Sequence, residues 1–123
     1  MSNYEPSLPD EFCRSFSEMA RLAHANSRDH GFWNDEPNHS GVVWKLSRIA
    51  LMHSELSEAV EGIRKDLMDD HLPERKMYVA ELADTVIRIL DFAGAYDLPL
   101  ADVILEKMTY NATRPHMHGD KLA

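Results

Sequence analysis

The stretch VVWKLSRIALMHSELSEAVEGIRKDL, residues 42–67, combines a clear helical pattern with an unusual placement of charge. Its apolar residues recur at about 100° per residue, as on one face of an α-helix, and we expect that face to be buried. These apolar positions are Leu46, Ile49, Leu56, Val60, Ile63 and Leu67. On the same helix, Glu55 and Glu58 stand one turn apart, where like charges repel each other. The pair indicates either a solvated surface or a positive partner between the two carboxylates.

Three further segments show a helical pattern, and they run from about Ser7 to Arg28, from Glu74 to Tyr96 and from Pro99 to Thr113. Ser7 and Asp10 resemble a capping box at the start of the first helix. The third helix has a broad apolar arc, which indicates contact on more than one side, with another subunit as one candidate. Because short connections join the helices and no strand pattern is present, we predict an all-α four-helix bundle.

Length and composition limit the class of protein. A chain of 123 residues is expected to form one domain over residues 1–123, with an irregular tail from about residue 115. It has 13 Lys and Arg against 21 Asp and Glu, a formal net charge of -8, which argues against nucleic acid as a partner. No apolar run approaches the length of a membrane span and no signal core is present, so we expect a soluble cytoplasmic protein with no membrane partner. The single cysteine, Cys13, excludes an intrachain disulfide.

The third helix carries a second acidic pair, since ELAD places Glu81 and Asp84 one turn apart. If the second and third helices are antiparallel, these acids and the pair Glu55 and Glu58 can surround a hard cation. Mg²⁺ suits such a set of oxygen ligands, and Mn²⁺ is a possible substitute. A single acidic pair is more often a solvated helix face. Two pairs on adjacent helices make the metal interpretation about as strong as the solvated one.

The fourth helix presents the opposite charge. Lys107, Asn111 and Arg114 share one face at i, i+4, i+7 spacing, where they could hold phosphate oxygens. Lys121, which follows the flexible Gly119, could close over such a ligand. The alternative is a solvated basic face near the C-terminus of a helix, where cations favour the helix dipole.

Phe32 and Trp33 are the aromatic residues of an otherwise polar loop, HGFWNDEPNHSG, at residues 30–41. Base-binding sites use exposed aromatic rings as stacking surfaces. The two rings are therefore candidates for stacking on a nucleobase. Alternatively, they could close one end of the bundle, which is the more common role of aromatic residues in loops.

Together these motifs resemble the MazG-like all-α NTP pyrophosphohydrolases. The family pattern is Glu-Glu-x-x-Glu followed by Glu-x-x-Asp, and here SELSE at 54–58 and ELAD at 81–84 stand at a family-like separation. The run KMTYNATR at 107–114 resembles the family's Lys-x-x-x-Asn-x-x-Arg segment, and GFW at 31–33 resembles smaller, phage-like members. Ser54 occupies the first Glu position of the longer motif. The expected metal ligands are therefore Glu55, Glu58, Glu81 and Asp84.

The resemblance implies Mg²⁺-dependent hydrolysis of a nucleoside triphosphate, with a dNTP as the expected substrate, to the monophosphate and pyrophosphate. Cations held by the acids would polarise phosphate oxygens and activate the attacking water, which Glu55 or Glu58 would orient or deprotonate. The basic face of the fourth helix and Lys121 would stabilise the phosphates. The resemblance also implies a homodimer or homotetramer with sites shared between subunits, in the cytoplasm of a bacterium or of a host cell if phage-encoded.

Two alternatives to this function remain open at the level of sequence. The acids would interact with phosphate and metal, so the same bundle could act on dUTP or phosphoribosyl-ATP. From a different class, the chain could be a non-catalytic helical module that dimerises. That module would show no Mg²⁺-dependent change in stability.

Overall fold

Four α-helices make up the regular structure, a computed structural model that describes residues 7–33 and 41–115. They are α1 (Leu8–Asp29), α2 (Val42–Arg64), α3 (Met77–Ala95) and α4 (Leu100–Ala112). Among these described residues no β-strand occurs, apart from an isolated antiparallel bridge between Met68 and Lys76. The predicted all-α class with four helices is confirmed, and the arrangement is compatible with a four-helix bundle.

The start of α1 was predicted correctly from the sequence, whereas the end of α2 was not. Ser7 caps α1 as predicted, because its Oγ accepts the N–H of Asp10 at 3.2 Å. We predicted that the second helix would continue to about Leu67, but α2 ends at Arg64. Asp66 has a φ of 49°, a left-handed conformation that turns the chain out of the helix. The connection then folds back on itself, and α3 begins later than predicted.

α3 is the helix that contacts both α1 and α2, whereas α4 packs on α1. Ala20 of α1 forms a small buried core with Leu90 and Ala93 of α3. Further along the same contact, His24 lies against Asp91. Residues later in α1 thus meet residues earlier in α3, so these two helices run antiparallel.

The contact between α2 and α3 is also antiparallel, but it is more polar. Gly62 near the end of α2 lies against Met77 at the start of α3. Closer to the middle of both helices, Glu55 forms an ion pair with Arg88. The carboxylates of α2 and α3 therefore face each other across this contact.

The apolar face of α2 that we expected to be buried lies at the surface of the single chain. Each of its six predicted core residues is at least 40% exposed. The buried residues of α2 are instead Arg48, Ala59 and Gly62, and Glu55 is half-buried. The prediction was wrong because periodicity identifies an apolar face without identifying the neighbour that covers it. In one chain, the buried residues of α2 are small or charged.

Part of the apolar arc of α3 is likewise exposed, at Val79, Leu82, Val86 and Ile87. No large side chain of the described segments is fully buried. Exposed apolar surface on this scale is typical of proteins that associate. No helix in the described part of the chain has the length and apolarity needed to cross a membrane.

Gly94 permits the close approach of α1 and α3. A Cβ at this position would lie 2.5 Å from the carbonyl oxygen of Ala20 and 2.9 Å from Cβ of His24. We expect Gly94→Ala to lower the free energy of unfolding by about 1–3 kcal/mol, because overpacking outweighs the gain of about 1 kcal/mol in helix propensity. Urea denaturation followed by circular dichroism, at one protein concentration, measures this change.

Gly62→Ala is the matched control for this experiment. A Cβ at Gly62 would lie 3.0 Å from Cβ and Cγ of Met77 and 3.1 Å from the backbone nitrogen of Tyr78, distances that are longer than the 2.5 Å at Gly94. We therefore expect a smaller loss of stability than for Gly94→Ala. A Gly94→Ala protein as stable as the wild type would contradict the close contact between the two helices.

Candidate metal centre

Three carboxylates from facing helices converge at the middle of the α2–α3 contact. Glu55 of α2 and Glu81 and Asp84 of α3 each offer one oxygen, and these three atoms lie within 4.8 Å of one another. Glu81 and Asp84 are neighbours because they stand one turn apart on α3. The antiparallel packing of α2 sets Glu55 opposite them. The structure thus brings together three of the four predicted metal ligands.

Glu58, the fourth predicted ligand, lies outside this group. Its side chain is exposed, whereas that of Glu55 is half-buried. Three residues along a helix rotate a side chain by about 60° from the starting direction, which takes Glu58 away from the face that α3 covers. Glu61, one turn further on, forms ion pairs with Arg64 and Lys65 at the surface.

The two glutamates of the group share a hydrogen bond, and their pKa values shift in opposite directions. The pKa of Glu81 is raised from 4.5 to about 7, first by its hydrogen bond with Glu55, then by burial and by the nearby negative charges. The pKa of Glu55 is lowered by the same hydrogen bond and by Arg88, whose Nε donates to Oε1 of Glu55 at 2.9 Å. Without a cation, and below about pH 7, the proton of the pair therefore resides on Glu81 rather than on Glu55.

Asp84 is the third member and the most exposed one. Its pKa is raised by burial first, and then by the negative charges of Glu55 and Asp69. An acid that faces other acids pays for ionisation in repulsion, and a bound cation removes that penalty. The raised pKa values of Glu81 and Asp84 therefore favour the arrival of positive charge.

The donor set fits a hard divalent cation. Oε2 of Glu81 is buried and receives no hydrogen bond from any donor among the described residues. Such an atom is unfavourable as a bare carboxylate oxygen, so it needs either a proton or a cation. All three ligands are carboxylates, which Mg²⁺ and Mn²⁺ prefer. Glu55, Glu81 and Asp84 are the residues that would hold the ion.

A cavity of about 340 Å³ opens beside the carboxylates. Glu55, Asp84 and Arg88 line one part of it, and Phe32 and Asn26 line another. The cavity therefore combines acids, a guanidinium, an exposed aromatic ring and an amide. These groups can hold a ligand that has both anionic and aromatic parts.

The two predicted stacking residues have different environments. Trp33 is only 4% exposed, and its Nε1 donates to Asp91 at 3.0 Å. The guanidinium of Arg48 lies 4.3 Å from the centre of the Trp33 ring and donates to the carbonyl oxygen of Phe32. Trp33 therefore closes the end of the helices, which was one of the two options. The ring of Phe32 remains exposed at the cavity and is the candidate for stacking.

The predicted phosphate-binding residues do not reach the carboxylates within one chain. Lys107 and Arg114 lie over the ring of Tyr110 on α4, and Asn111 is exposed. α4 packs on α1, and none of these three residues lines the cavity. Lys121 lies outside the described residues.

Two residues next to the carboxylates were not predicted from the sequence. Arg88 follows Asp84 by four residues, and that i, i+4 spacing was a signal that could have identified it. Asp69 lies in the α2–α3 connection, where its negative charge helps to raise the pKa values of Glu81 and Asp84. No periodic pattern marks a residue in such a connection.

The geometry defines a helical protein with a carboxylate site beside a cavity. No protein-family model, curated protein or solved structure matches the chain.

The raised pKa of Glu81 predicts how the stability of the metal-free protein changes with pH. Its folded-state pKa of about 7 exceeds the ordinary 4.5, so the folded state binds more protons between these values. This contribution to stability is fully present below the ordinary pKa and is lost as pH rises through the folded-state pKa. We expect the melting temperature in chelator to fall between about pH 5 and about pH 8 for this reason.

Glu81→Gln tests the assignment, because the amide can still donate to Glu55 but does not titrate. The variant should lose most of the fall in melting temperature across this pH range. Glu61→Gln, at the surface of α2, is the control and should retain the wild-type slope. Equal slopes for the wild type and Glu81→Gln would show that the proton resides elsewhere.

Proposed function

We propose that this chain is a Mg²⁺-dependent pyrophosphohydrolase that converts a nucleoside triphosphate, with a dNTP as the preferred class, to the monophosphate and pyrophosphate. The observation that carries the proposal is the convergence of Glu55, Glu81 and Asp84 at the edge of the cavity. The motifs that resemble the MazG-like family, SELSE and ELAD, contribute these same carboxylates.

In the proposed reaction, the oxygen of a water molecule bonds to the α-phosphorus and the bond from that phosphorus to the α–β bridging oxygen breaks. A bound divalent cation would supply Lewis-acid polarisation of the phosphate oxygens and ease deprotonation of the water. Glu81 would be among the residues that hold this cation, and its pKa of about 7 allows it to release its proton to solvent near neutral pH. Glu58 is exposed one turn from Glu55, and we assign it the task of orienting the water or accepting its proton.

The cavity supports a nucleotide as the ligand. With the phosphates at the carboxylates, the base would extend towards the exposed ring of Phe32. Stacking on an aromatic ring binds any base, because every base has a π-face. The side-chain amide of Asn26 can both donate and accept a hydrogen bond, so it could distinguish one base from another.

The exposed apolar faces of α2 and α3 support self-association as part of the proposal. Both faces are uncovered in the single chain, and each is large for a monomeric protein surface. A homodimer or homotetramer would bury them. It would also give the basic face of α4, which cannot reach the carboxylates within its own chain, a route to the site of another subunit.

The activity is tested by measuring pyrophosphate release from a panel of NTPs and dNTPs, with Mg²⁺ and with chelator. We expect Mg²⁺-dependent release, and a loss of at least about 100-fold in Glu81→Gln and Asp84→Asn, because a metal ion contributes several kcal/mol to such a transition state. Glu58→Gln should lower the rate without weakening Mg²⁺ binding, since Glu58 lies outside the three-carboxylate group.

Glu61→Gln is again the control and should keep the wild-type rate. If no nucleotide releases pyrophosphate and Mg²⁺ leaves the melting temperature unchanged, the enzyme proposal is wrong. The exposed apolar faces would then support the alternative, a helical module that dimerises.

Self-association has its own test. We expect the wild type to sediment as a dimer or a larger assembly in analytical ultracentrifugation. Val86→Glu places a charge on the exposed arc of α3 and should shift the equilibrium towards monomer, because burying an unpaired charge is unfavourable. Leu22→Glu places the same charge on the exposed side of α1, outside the apolar faces of α2 and α3. It is the comparison variant and should sediment like the wild type. A wild type that remains monomeric at high concentration would contradict the proposed assembly.

A further inference from the structure

Arg88 lies between the carboxylate group and the cavity. It is on α3, four residues after Asp84, and its Nε donates to Oε1 of Glu55 at 2.9 Å. Its side chain is one-third exposed, at 33%, and it lines the cavity together with Glu55 and Asp84. Arg88 is therefore in contact with the candidate metal ligands and with the space beside them.

The terminal nitrogens of Arg88 are available to a ligand. A guanidinium has five N–H donors, and Nε uses one of them on Glu55. Neither terminal nitrogen donates to another of the described residues. A guanidinium fork held in place by one carboxylate, and open on its other edge, suits a phosphate group.

Within the described residues, Arg88 is the one basic side chain that forms an ion pair with the three-carboxylate group. Arg48 is committed elsewhere, since it stacks between Trp33 and Trp44 and donates to the backbone of the loop. The basic residues of α4 do not line the cavity. Among the described residues that line the cavity, Arg88 is therefore the one arginine or lysine, and His30 is the other basic side chain.

We propose that Arg88 binds a phosphate oxygen of the nucleotide through its terminal nitrogens while its Nε stays on Glu55. This inference rests on the proposed function and adds a substrate-binding residue to it. Glu55 would then hold both the cation and Arg88, so one carboxylate would position both positive groups relative to the phosphates. The ion pair with Glu55 also fixes the guanidinium before substrate arrives, which reduces the entropy lost on binding.

The test is the binding of an α,β-methylene dNTP, which cannot be cleaved at the α–β position, measured by isothermal titration calorimetry in Mg²⁺. Arg88→Lys keeps a cation for Glu55 but loses the fork, and Arg88→Gln loses the charge as well. We expect the dissociation constant to rise by about 10–100-fold in both variants, as for the loss of a charged hydrogen bond. Arg64→Gln, which removes a similar ion pair on the solvent side of α2, should bind like the wild type.

A second measurement separates substrate binding from a purely structural role. Without nucleotide, Mn²⁺ affinity and melting temperature should change little in Arg88→Lys, because the Lys can still neutralise Glu55. If Arg88 has only a structural role, Arg88→Lys should lower both the Mn²⁺ affinity and the melting temperature. The loss of analogue binding should then match the loss of bound metal. That outcome would overturn the inference.

The wild type provides a test that needs no destabilising substitution. Adding the analogue with Mg²⁺ should shift the guanidinium ¹⁵N signals of Arg88, assigned from the Arg88→Lys spectrum. If the wild type binds the analogue but neither these signals nor the affinity of Arg88→Lys changes, Arg88 is not the phosphate ligand and the proposed function stands. If the wild type binds no analogue in Mg²⁺, both proposals fail.

Discussion

The carboxylate of Glu55 contacts an acid and a guanidinium at the same time, and the candidate site depends on this arrangement. The contact exists because α2 turns Arg48, Glu55, Ala59 and Gly62 into the single chain, whereas most of its leucines and isoleucines are exposed. Small residues allow the helices to approach, while charged residues need partners once they are covered. Arg88 supplies the partner of Glu55. The contact between α2 and α3 thus contains charged side chains, while much of the apolar face of α2 is exposed.

α3 combines two kinds of surface on one helix. Towards α1 it presents Leu90, Ala93 and Gly94, which pack closely against small residues. Towards α2 it presents Glu81 and Arg88, which both interact with Glu55. Because both surfaces belong to the same rigid element, the close packing on α1 limits how far α3 can slide relative to the carboxylate of α2. Packing on one side therefore controls the precision of the site on the other.

The sequence allowed the helices and most of the carboxylates to be predicted, since these depend on local spacing. Ser7 marks the start of α1 by its own hydrogen bond, and Glu81 and Asp84 are neighbours on any helix. The exposed face of α2 could not be predicted, because periodicity gives no information about which neighbour covers an apolar stripe. The sequence also could not predict that Phe32 is exposed while Trp33 is buried. They follow each other in a turn, and only the tertiary contacts of Trp33 with Asp91 and Arg48 separate them.

The cluster around Arg48 gives the protein an optical property. The chain has two tryptophans, and the guanidinium of Arg48 lies 4.3 Å from the ring centre of each. Indole emission responds to nearby charge and to the hydrogen bond at Nε1. Trp33 donates that bond to Asp91, which itself lines the cavity. Intrinsic fluorescence therefore reports on the interior of this protein from a position next to the cavity, without an added dye.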